Sequence, residues 1–334
     1  MNEILIAVIG VVVLTICSLV VGLFLAGLDR VVVARMQARV GPRLRQPFID
    51  IAKLFGKENI VPKNAVPILF NLMPVLALAA SIAVLLYLPF GSIAPLLGNS
   101  GDMILVLYLL LIPSLCLVIG GFASGSPYAS VGAQREMVSM IAYELPLAAV
   151  VILVAWRLMA AGASEPFSLV TLMQTNIWEV CGPCGIIAVV LLLFLFAWIT
   201  PGELSKVPFD APEAETELAG GILAEYSGRN LGMFSLAQAV KTVAIIAFGV
   251  AILLPWNLSS LFGLTGALAI IIDILFFLVK VIVVMLVSVT LIRTMMARFR
   301  ITQVVKVYWF ILGGLALAAL ILFVIDANVM GAVF

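Results

Sequence analysis

The chain has 334 residues, of which 64% are hydrophobic and 10% are charged, and its mean hydropathy is +1.28. A soluble domain is roughly 45–50% apolar and 25% charged, so this composition excludes a soluble enzyme, a nucleic-acid-binding protein and a disordered chain. There is no histidine, and the four cysteines (Cys17, Cys116, Cys181 and Cys184) are too scattered for an iron–sulfur cluster. The sequence therefore predicts an integral membrane protein with no redox centre or metal of its own.

Eight apolar runs are long enough to cross a lipid bilayer, which takes about 20 residues of helix. We expect an all-α membrane protein, with a single membrane domain over 1–334 formed by a bundle of about eight transmembrane helices. The predicted spans are 4–28, 65–90, 103–125, 137–161, 184–200, 231–256, 264–292 and 307–325.

Basic side chains are concentrated in alternate connections between these spans. The connections at 29–64, 126–136, 201–230 and 293–306 hold 15 of the 18 Lys and Arg residues. Since cytoplasmic loops carry the excess of Lys and Arg, we expect these connections in the cytoplasm of a cell-membrane protein, with both termini outside.

The first basic connection contains an amphipathic stretch at 47–57. On a helix, Phe48 and Phe55 share one face with other apolar residues, and Asp50 and Lys53 lie on the opposite face. This pattern is typical of a short helix in the membrane interface. The alternative is that the charges serve only as a topology signal.

Four ionisable residues, Glu144, Lys241, Asp273 and Lys280, lie well inside predicted spans. Each would cost roughly 2.5–3.5 kcal/mol facing lipid, so we expect them to face the interior of the bundle and to partner one another. Asp273 and Lys280 are separated by about 10 Å along one helix face, which suits two positions on a polar stripe. The alternatives are ion pairs that only fix helix packing and a chain that conducts ions, and we favour the second. Arg157 lies near a helix end, where we expect it to extend to the outer interface.

The connection after the fifth span is strongly acidic and has a single opposing Lys206 before Glu225. Asp210 before Pro212 predicts a helix start, and Gly228 predicts its end. Crowded carboxylates repel, so some should have raised pKa values and could carry protons near neutral pH. The alternative is a capped, solvated loop. The six acids are Glu203, Asp210, Glu213, Glu215, Glu217 and Glu225.

Cys181 and Cys184 have the spacing of a thioredoxin-like motif. That chemistry needs a preceding strand and a soluble βα context, whereas this motif opens a membrane helix. We therefore expect either a bystander pair or a structural disulfide.

Several motifs along nearly the whole chain resemble one family of membrane subunits. In respiratory complex I (NADH-quinone oxidoreductase), the member of this family joins the peripheral redox arm to the membrane arm, and energy-converting NiFe-hydrogenases of the group 4 (Ech and Mbh) types have a homologous member. The compact RLR at 43–45, together with Asp29-Arg30 and SPY at 126–128, favours the hydrogenase branch. The motifs are RMQARVGP at 35–42, QPFIDIAKL at 46–54, GAQREM at 132–137, YELP at 143–146, VPFDAPEAETE at 207–217, AEYSG at 224–228 and RTMMARFRITQ at 293–303.

The resemblance implies a non-redox subunit of a ferredoxin-driven, H⁺- or Na⁺-translocating hydrogenase. Its implied partners are a NiFe-hydrogenase-like large subunit, iron–sulfur subunits and antiporter-like membrane subunits, with the NiFe site and the clusters in those partners. The alternatives are a complex I subunit that forms the quinone chamber, a free-standing ion transporter and a passive membrane anchor. The implied ion-coupling path is Glu144, Asp210, Glu213, Glu215, Glu217, Glu225, Lys241, Asp273 and Lys280; residues implied to dock partners or neutralise acids are Arg35, Arg39, Asp50, Lys53, Arg135, Glu136 and Arg298.

Overall fold

A computed structural model describes residues 2–263 and 266–331. Within those residues the chain is helical and contains no β-strand, and eight of its helices are long and apolar enough to span a membrane, which confirms the predicted fold class. In chain order, the helices that matter below are α1 (Asn2–Met36), α2 (Gln46–Phe55), α3 (Pro67–Leu86), α4 (Met103–Ala123), α5 (Pro127–Ala160), α6 (Pro183–Glu203), α7 (Gly228–Leu253), α8 (Ala267–Met295) and α9 (Ile301–Val329).

Helix α7 lies at the centre of the bundle. In its most apolar stretch 83% of residues are buried, against 22% for both α1 and α8. Small residues allow this enclosure, because a side chain at Gly249 would collide with the ring of Phe196, and Gly22 of α1 packs directly on the backbone of Ala239. Membrane helices commonly approach one another through such small residues.

The connections 37–66, 204–227 and 296–300 lie together at one end of the bundle, called here the basic end. They meet through contacts such as the hydrogen bond from the backbone N–H of Ile60 to the hydroxyl of Ser227. The predicted connection 126–136 is instead the first part of α5, because Pro127 starts the helix and the small residues Gly132 and Ala133 pack it inward. Likewise α8 continues to Met295, so the predicted connection 293–306 shortens to 296–300.

The prediction of one helix from Asp210 to Gly228 is wrong. The chain forms three separate short turns there, Ala211–Glu213, Glu215–Leu218 and Gly221–Leu223. Pro208 and Pro212, near the start of this segment, have no backbone N–H to donate. Gly220 and Gly221 have φ angles of 97° and 55°, which break a right-handed helix. Gly228 begins α7 rather than ending a helix.

The amphipathic helix predicted in the first connection is present as α2. Pro47 is buried, whereas Phe48 and Phe55 are 36% and 42% exposed. The carboxylate of Asp50 lies 3.0 Å from the guanidinium of Arg30, which ties α2 to the end of α1.

The expectation that Arg157 extends to the outer interface is wrong, because its side chain is buried. Its guanidinium lies 2.8 Å from the carboxylate of Asp326 in α9 and donates a hydrogen bond to the carbonyl of Val180. The partner lies 169 residues away in sequence, so no local pattern could indicate it. The pair joins α5 to α9 at the end of the bundle opposite the basic end.

We predict that Asp326→Ala destabilises the protein by about 3–5 kcal/mol, because it leaves the buried Arg157 charge without a partner. The measurement is denaturant-induced unfolding of the purified protein in detergent. The matched control replaces both charges, Arg157→Met with Asp326→Leu, and should lose much less stability. An equal loss in both variants would show that the pair itself does not carry this contact.

Candidate functional site

A buried ion pair joins the middle of α7 to the end of α6. The ammonium of Lys241 lies 2.8 Å from the carboxylate of Glu203, and the two residues are 1% and 2% exposed. The same ammonium donates hydrogen bonds to the hydroxyl of Ser114, at 2.7 Å, and to the backbone carbonyl of Glu203, at 2.8 Å. Three oxygen atoms therefore lie within 2.8 Å of the buried ammonium, and two of them accept hydrogen bonds from it.

Glu136 of α5 is the second buried acid of this region. It is 1% exposed, and the hydroxyl of Ser205 donates to both of its carboxylate oxygens at 3.1 and 3.2 Å. Lys241, Glu203 and Glu213 are its charged neighbours. The expectation that Glu136 docks a partner or neutralises acids is wrong, because its burial removes it from the surface and it is itself an acid beside other acids.

Two tyrosines complete this buried cluster. The hydroxyl of Tyr143 is 3.2 Å from that of Ser114, and the ring of Tyr143 meets the ring of Tyr308 edge-on at 6.3 Å. Tyr308 lies in a π-helical turn of α9, and its hydroxyl occupies the space that a side chain at Gly202 would take. Lys241, Glu203, Glu136, Ser114, Ser205, Tyr143 and Tyr308 are called the inner cluster below.

Arginines hold two acids of the acidic connection. Arg298 donates to both carboxylate oxygens of Asp210, at 2.7 and 2.6 Å, and Arg135 pairs with Glu217. The Arg135 guanidinium keeps the pKa of Glu217 below its ordinary value. The structure thus places two of the implied docking or neutralising arginines directly on acids.

Glu213 differs from those two acids, since burial is the main influence on it. Burial raises its pKa above 4.5, the negative charge of Asp210 adds to this effect, and the positive charge of Lys206 opposes it. The Glu213 side chain is half-buried, because one edge of it lines a cavity. Glu225 is half-buried just before α7, and the side chain of Glu215 lies outside the described part of the structure.

The cavity lies between α1, α2, α7, α8 and the acidic connection, and its volume is about 380 Å³. Apolar side chains such as Leu54 and Phe234 form part of its wall, and Asp29 and Glu213 bring carboxylates to it. Asp29 accepts hydrogen bonds from Arg293 and Thr290 at 2.7 and 2.8 Å. The cavity therefore combines an apolar wall with carboxylates at the basic end.

Asp273 and Lys280 form a second charged group near the other end of the bundle. Asp273 accepts two hydrogen bonds from Ser259, at 2.9 and 2.7 Å, and Lys280 donates to the carbonyls of Leu254 and Trp256 at 2.8 and 2.7 Å. Leu254 is thirteen residues beyond Lys241, which corresponds to about 20 Å along α7. The four membrane charges do not lie together, since Lys241 belongs to the inner cluster while Asp273 and Lys280 do not.

The family model described as NADH dehydrogenase matches residues 9–324. The chain belongs to this NADH dehydrogenase family. Formate hydrogenlyase subunit 4 of Escherichia coli is 31% identical over 286 residues, covering 85% of this chain and 89% of that protein. An NADH-quinone oxidoreductase subunit of Rickettsia prowazekii is 31% identical over 336 residues, covering 95% and 93%.

A solved structure is also similar to this NADH dehydrogenase family member along nearly its whole length. It is the membrane-bound sulfane sulfur reductase, an archaeal respiratory membrane complex, of which one chain matches with a TM-score of 0.81 and 29% identity. The match covers 97% of this chain and 100% of that chain. The relatives thus carry names of both hydrogenase and quinone reductase subunits.

Glu203, like Glu136, is an acid of the inner cluster that the sequence pattern leaves off the coupling path. The pattern groups it with the acids of the connection, because the fifth span is predicted to stop at 200. That predicted span is short, and extending α6 to Glu203 places the acid inside the helix. Glu144 is half-buried on α5, and its charge acts on Glu203.

The remaining implied docking residues lie at the basic end. Arg35, Arg39 and Lys53 are exposed, and Arg39 donates to Gln37 at 3.0 Å. Their role in docking stays a prediction. Among the residues that the structure describes, no three His, Cys, Asp or Glu side chains converge as a metal site requires.

Proposed function

We propose that this chain is the ion-coupling membrane subunit of an energy-converting NiFe-hydrogenase complex. In that role it links ferredoxin-driven proton reduction in partner subunits to H⁺ or Na⁺ translocation. The observation that carries the proposal is the buried inner cluster, in which one ammonium lies among buried carboxylates beside the acidic connection. Two relatives named as hydrogenase-type subunits, formate hydrogenlyase subunit 4 and hydrogenase-4 component C of Escherichia coli, support the branch at 31% and 30% identity.

Charge balance gives the inner cluster its capacity for a proton. Glu136 and Glu203 are both buried, and Lys241 supplies the single positive charge that acts on both. With both carboxylates ionised the cluster would carry a net negative charge in a low-dielectric interior, which is costly. A proton held on one carboxyl removes that cost, so the cluster can accept and release a proton as its surroundings change.

The acidic connection links this cluster to the redox event. Glu213 acts electrostatically on Glu136, so a change of charge or position at the connection alters the proton affinity of the cluster. Such interactions are strong where water is excluded, and one unit of pKa corresponds to about 1.4 kcal/mol. Glu144, half-buried beside Glu203, extends the path along α5.

The basic end and the lateral face of the bundle serve different partners in this proposal. A NiFe-hydrogenase-like large subunit and iron–sulfur subunits dock at the basic end, on the cytoplasmic side, where Arg35, Arg39 and Lys53 are exposed. Antiporter-like membrane subunits receive the displaced charge laterally, and Asp273 and Lys280 of α8 form the second group on that route.

The cavity favours a second candidate function, a complex I subunit that forms part of a quinone chamber. Its apolar wall suits the tail of a quinone, and the donors Arg30 and Lys206 on its lining suit the carbonyl oxygens of the ring. The name of the Rickettsia relative supports this candidate.

Metal content separates the two candidates. We expect the intact complex, gently extracted through a tag on this chain, to hold nickel in stoichiometric amount and to evolve hydrogen from reduced ferredoxin. Nickel-free complex with flavin and quinone reductase activity would place the chain in the complex I branch. Nickel-free complex that reduces sulfur would also contradict the hydrogenase role.

Substitution of the inner cluster tests the coupling role. We expect Glu136→Gln to assemble normally, because glutamine can still accept the hydrogen bond from Ser205. Ions translocated per electron in sealed vesicles should fall at least about tenfold, because glutamine at this position cannot take up or release a proton. The control is Glu165→Gln, an exposed acid outside the implied path, which should retain coupling. Normal translocation in Glu136→Gln would contradict the role of the cluster.

A further inference from the structure

Helix α6 ends in a left-handed turn that is occupied by a serine. The backbone N–H of Ser205 donates to the carbonyl of Gly202 at 3.0 Å, and the backbone N–H of Lys206 donates to the carbonyl of Pro201 at 2.8 Å. These two hydrogen bonds form a Schellman motif, in which the residue at the position of Ser205 is left-handed. Glycine is the usual residue there, because a Cβ makes this conformation unfavourable. Ser205 nevertheless adopts it, with a φ angle of 48°.

The Ser205 side chain is directed at a buried acid of another helix. Its hydroxyl donates to both carboxylate oxygens of Glu136, at 3.1 and 3.2 Å, across the contact between α6 and α5. Ser205 is 7% exposed and Glu136 is 1% exposed, and a carboxyl group buried to this degree needs a hydrogen-bond donor. A glycine at 205 would relieve the backbone and take this donor away. The residue present is therefore one whose side chain serves Glu136 at a cost to its own backbone.

Helix α7 holds the same turn from its other side. The ammonium of Lys241 donates to the backbone carbonyl of Glu203 at 2.8 Å, and the side-chain amide of Gln238 donates to the carbonyl of Leu204. The last carbonyls of α6 are thus tied to one face of α7, since residues three apart on a helix are neighbours. Ser205 is the next residue along the chain, so its hydroxyl has a fixed position.

A hydroxyl group is a suitable partner for a carboxyl group that gains and loses a proton. It can donate to a carboxylate and also to the carbonyl oxygen of the protonated acid, and it keeps its own proton in both cases. A cation in its place would favour the ionised form alone. With Ser205 as its partner, the Glu136 carboxyl can stay hydrogen-bonded in one orientation through both states.

We propose that Ser205 is a positioning residue of the inner cluster, held in a left-handed turn so that its hydroxyl orients the Glu136 carboxyl for taking up and releasing a proton. This inference rests on the proposed coupling role of Glu136. Backbone strain is often retained at functional sites, where the surrounding structure holds it in place. Leu204 and Lys206, the two neighbours of Ser205, line the cavity, so this turn also connects the cavity to Glu136.

Three substitutions separate the effect of the hydroxyl from that of the backbone. Ser205→Gly removes the hydroxyl and fits the left-handed backbone, whereas Ser205→Ala removes the hydroxyl and keeps the strain. Ser205→Asn tolerates this backbone and supplies an amide N–H as donor. In denaturant-induced unfolding of the purified protein in detergent, we expect a higher midpoint for Ser205→Gly than for Ser205→Ala, because only glycine relieves the backbone.

Coupling should follow the hydrogen bond and not the stability. We expect ions translocated per electron in sealed vesicles to fall at least about threefold in both Ser205→Gly and Ser205→Ala, since both lose a hydrogen bond to a buried carboxyl. Ser205→Asn should restore most of the wild-type ratio. In redox-triggered infrared difference spectra, the carboxyl C=O band should move to higher wavenumber in Ser205→Gly, because its carbonyl no longer accepts this hydrogen bond, and should return in Ser205→Asn.

Glu136→Gln is measured in parallel, to separate this inference from the coupling proposal. A normal ion-to-electron ratio in Ser205→Gly beside a low ratio in Glu136→Gln overturns the role of Ser205 alone, whereas a normal ratio in Glu136→Gln overturns both. A ratio that falls in Ser205→Ala but not in Ser205→Gly follows the stability and shows a structural role, which also overturns the inference. So does a ratio that Ser205→Asn leaves low, or a carboxyl band that Ser205→Gly leaves unshifted.

Discussion

The buried ion pair between Lys241 and Glu203 is the interaction on which the rest of the structure depends. Removing either charge from water costs several kcal/mol, and their attraction offsets that cost only with good geometry and further hydrogen bonds. The bundle supplies further hydrogen bonds, because the Ser114 hydroxyl and the backbone carbonyl at the end of α6 accept them from the ammonium. The pair lies on α7, the most enclosed of the eight spans, whose neighbours approach closely at small residues such as Gly249.

Helix α7 physically links the two charged groups of the membrane. Lys241 occupies its middle, and Lys280 of α8 donates to the carbonyls of Leu254 and Trp256 just beyond its end. A shift of α7 would therefore change the contacts of both Lys241 and Lys280. In the proposed mechanism the groups communicate through this rigid element and through electrostatics, across about 20 Å of helix. They need no continuous row of acids between them.

Length and hydropathy are sufficient to predict the eight membrane helices, because a bilayer imposes a fixed length on any helix that crosses it. The amphipathic helix α2 also follows from local periodicity. The buried ion pairs do not, since Arg157 with Asp326 and Lys241 with Glu203 join distant parts of the chain. The helix predicted from 210 to 228 fails because local acid and proline patterns indicate a start, while Gly220 and Gly221 break the helix. Burial of Glu136 likewise depends on tertiary packing that a single sequence does not reveal.

In the proposed mechanism, buried carboxyl groups of the inner cluster change protonation when the complex is reduced. Redox-triggered infrared difference spectroscopy on the intact complex, with exchange into heavy water, detects the carbonyl stretch of protonated carboxyl groups directly. The mechanism predicts a redox-dependent carboxyl band that is lost in Glu136→Gln or Glu203→Gln and retained in Glu165→Gln, which replaces an exposed acid outside the implied path. A spectrum without such a band, or with one that both cluster variants leave unchanged, would contradict it.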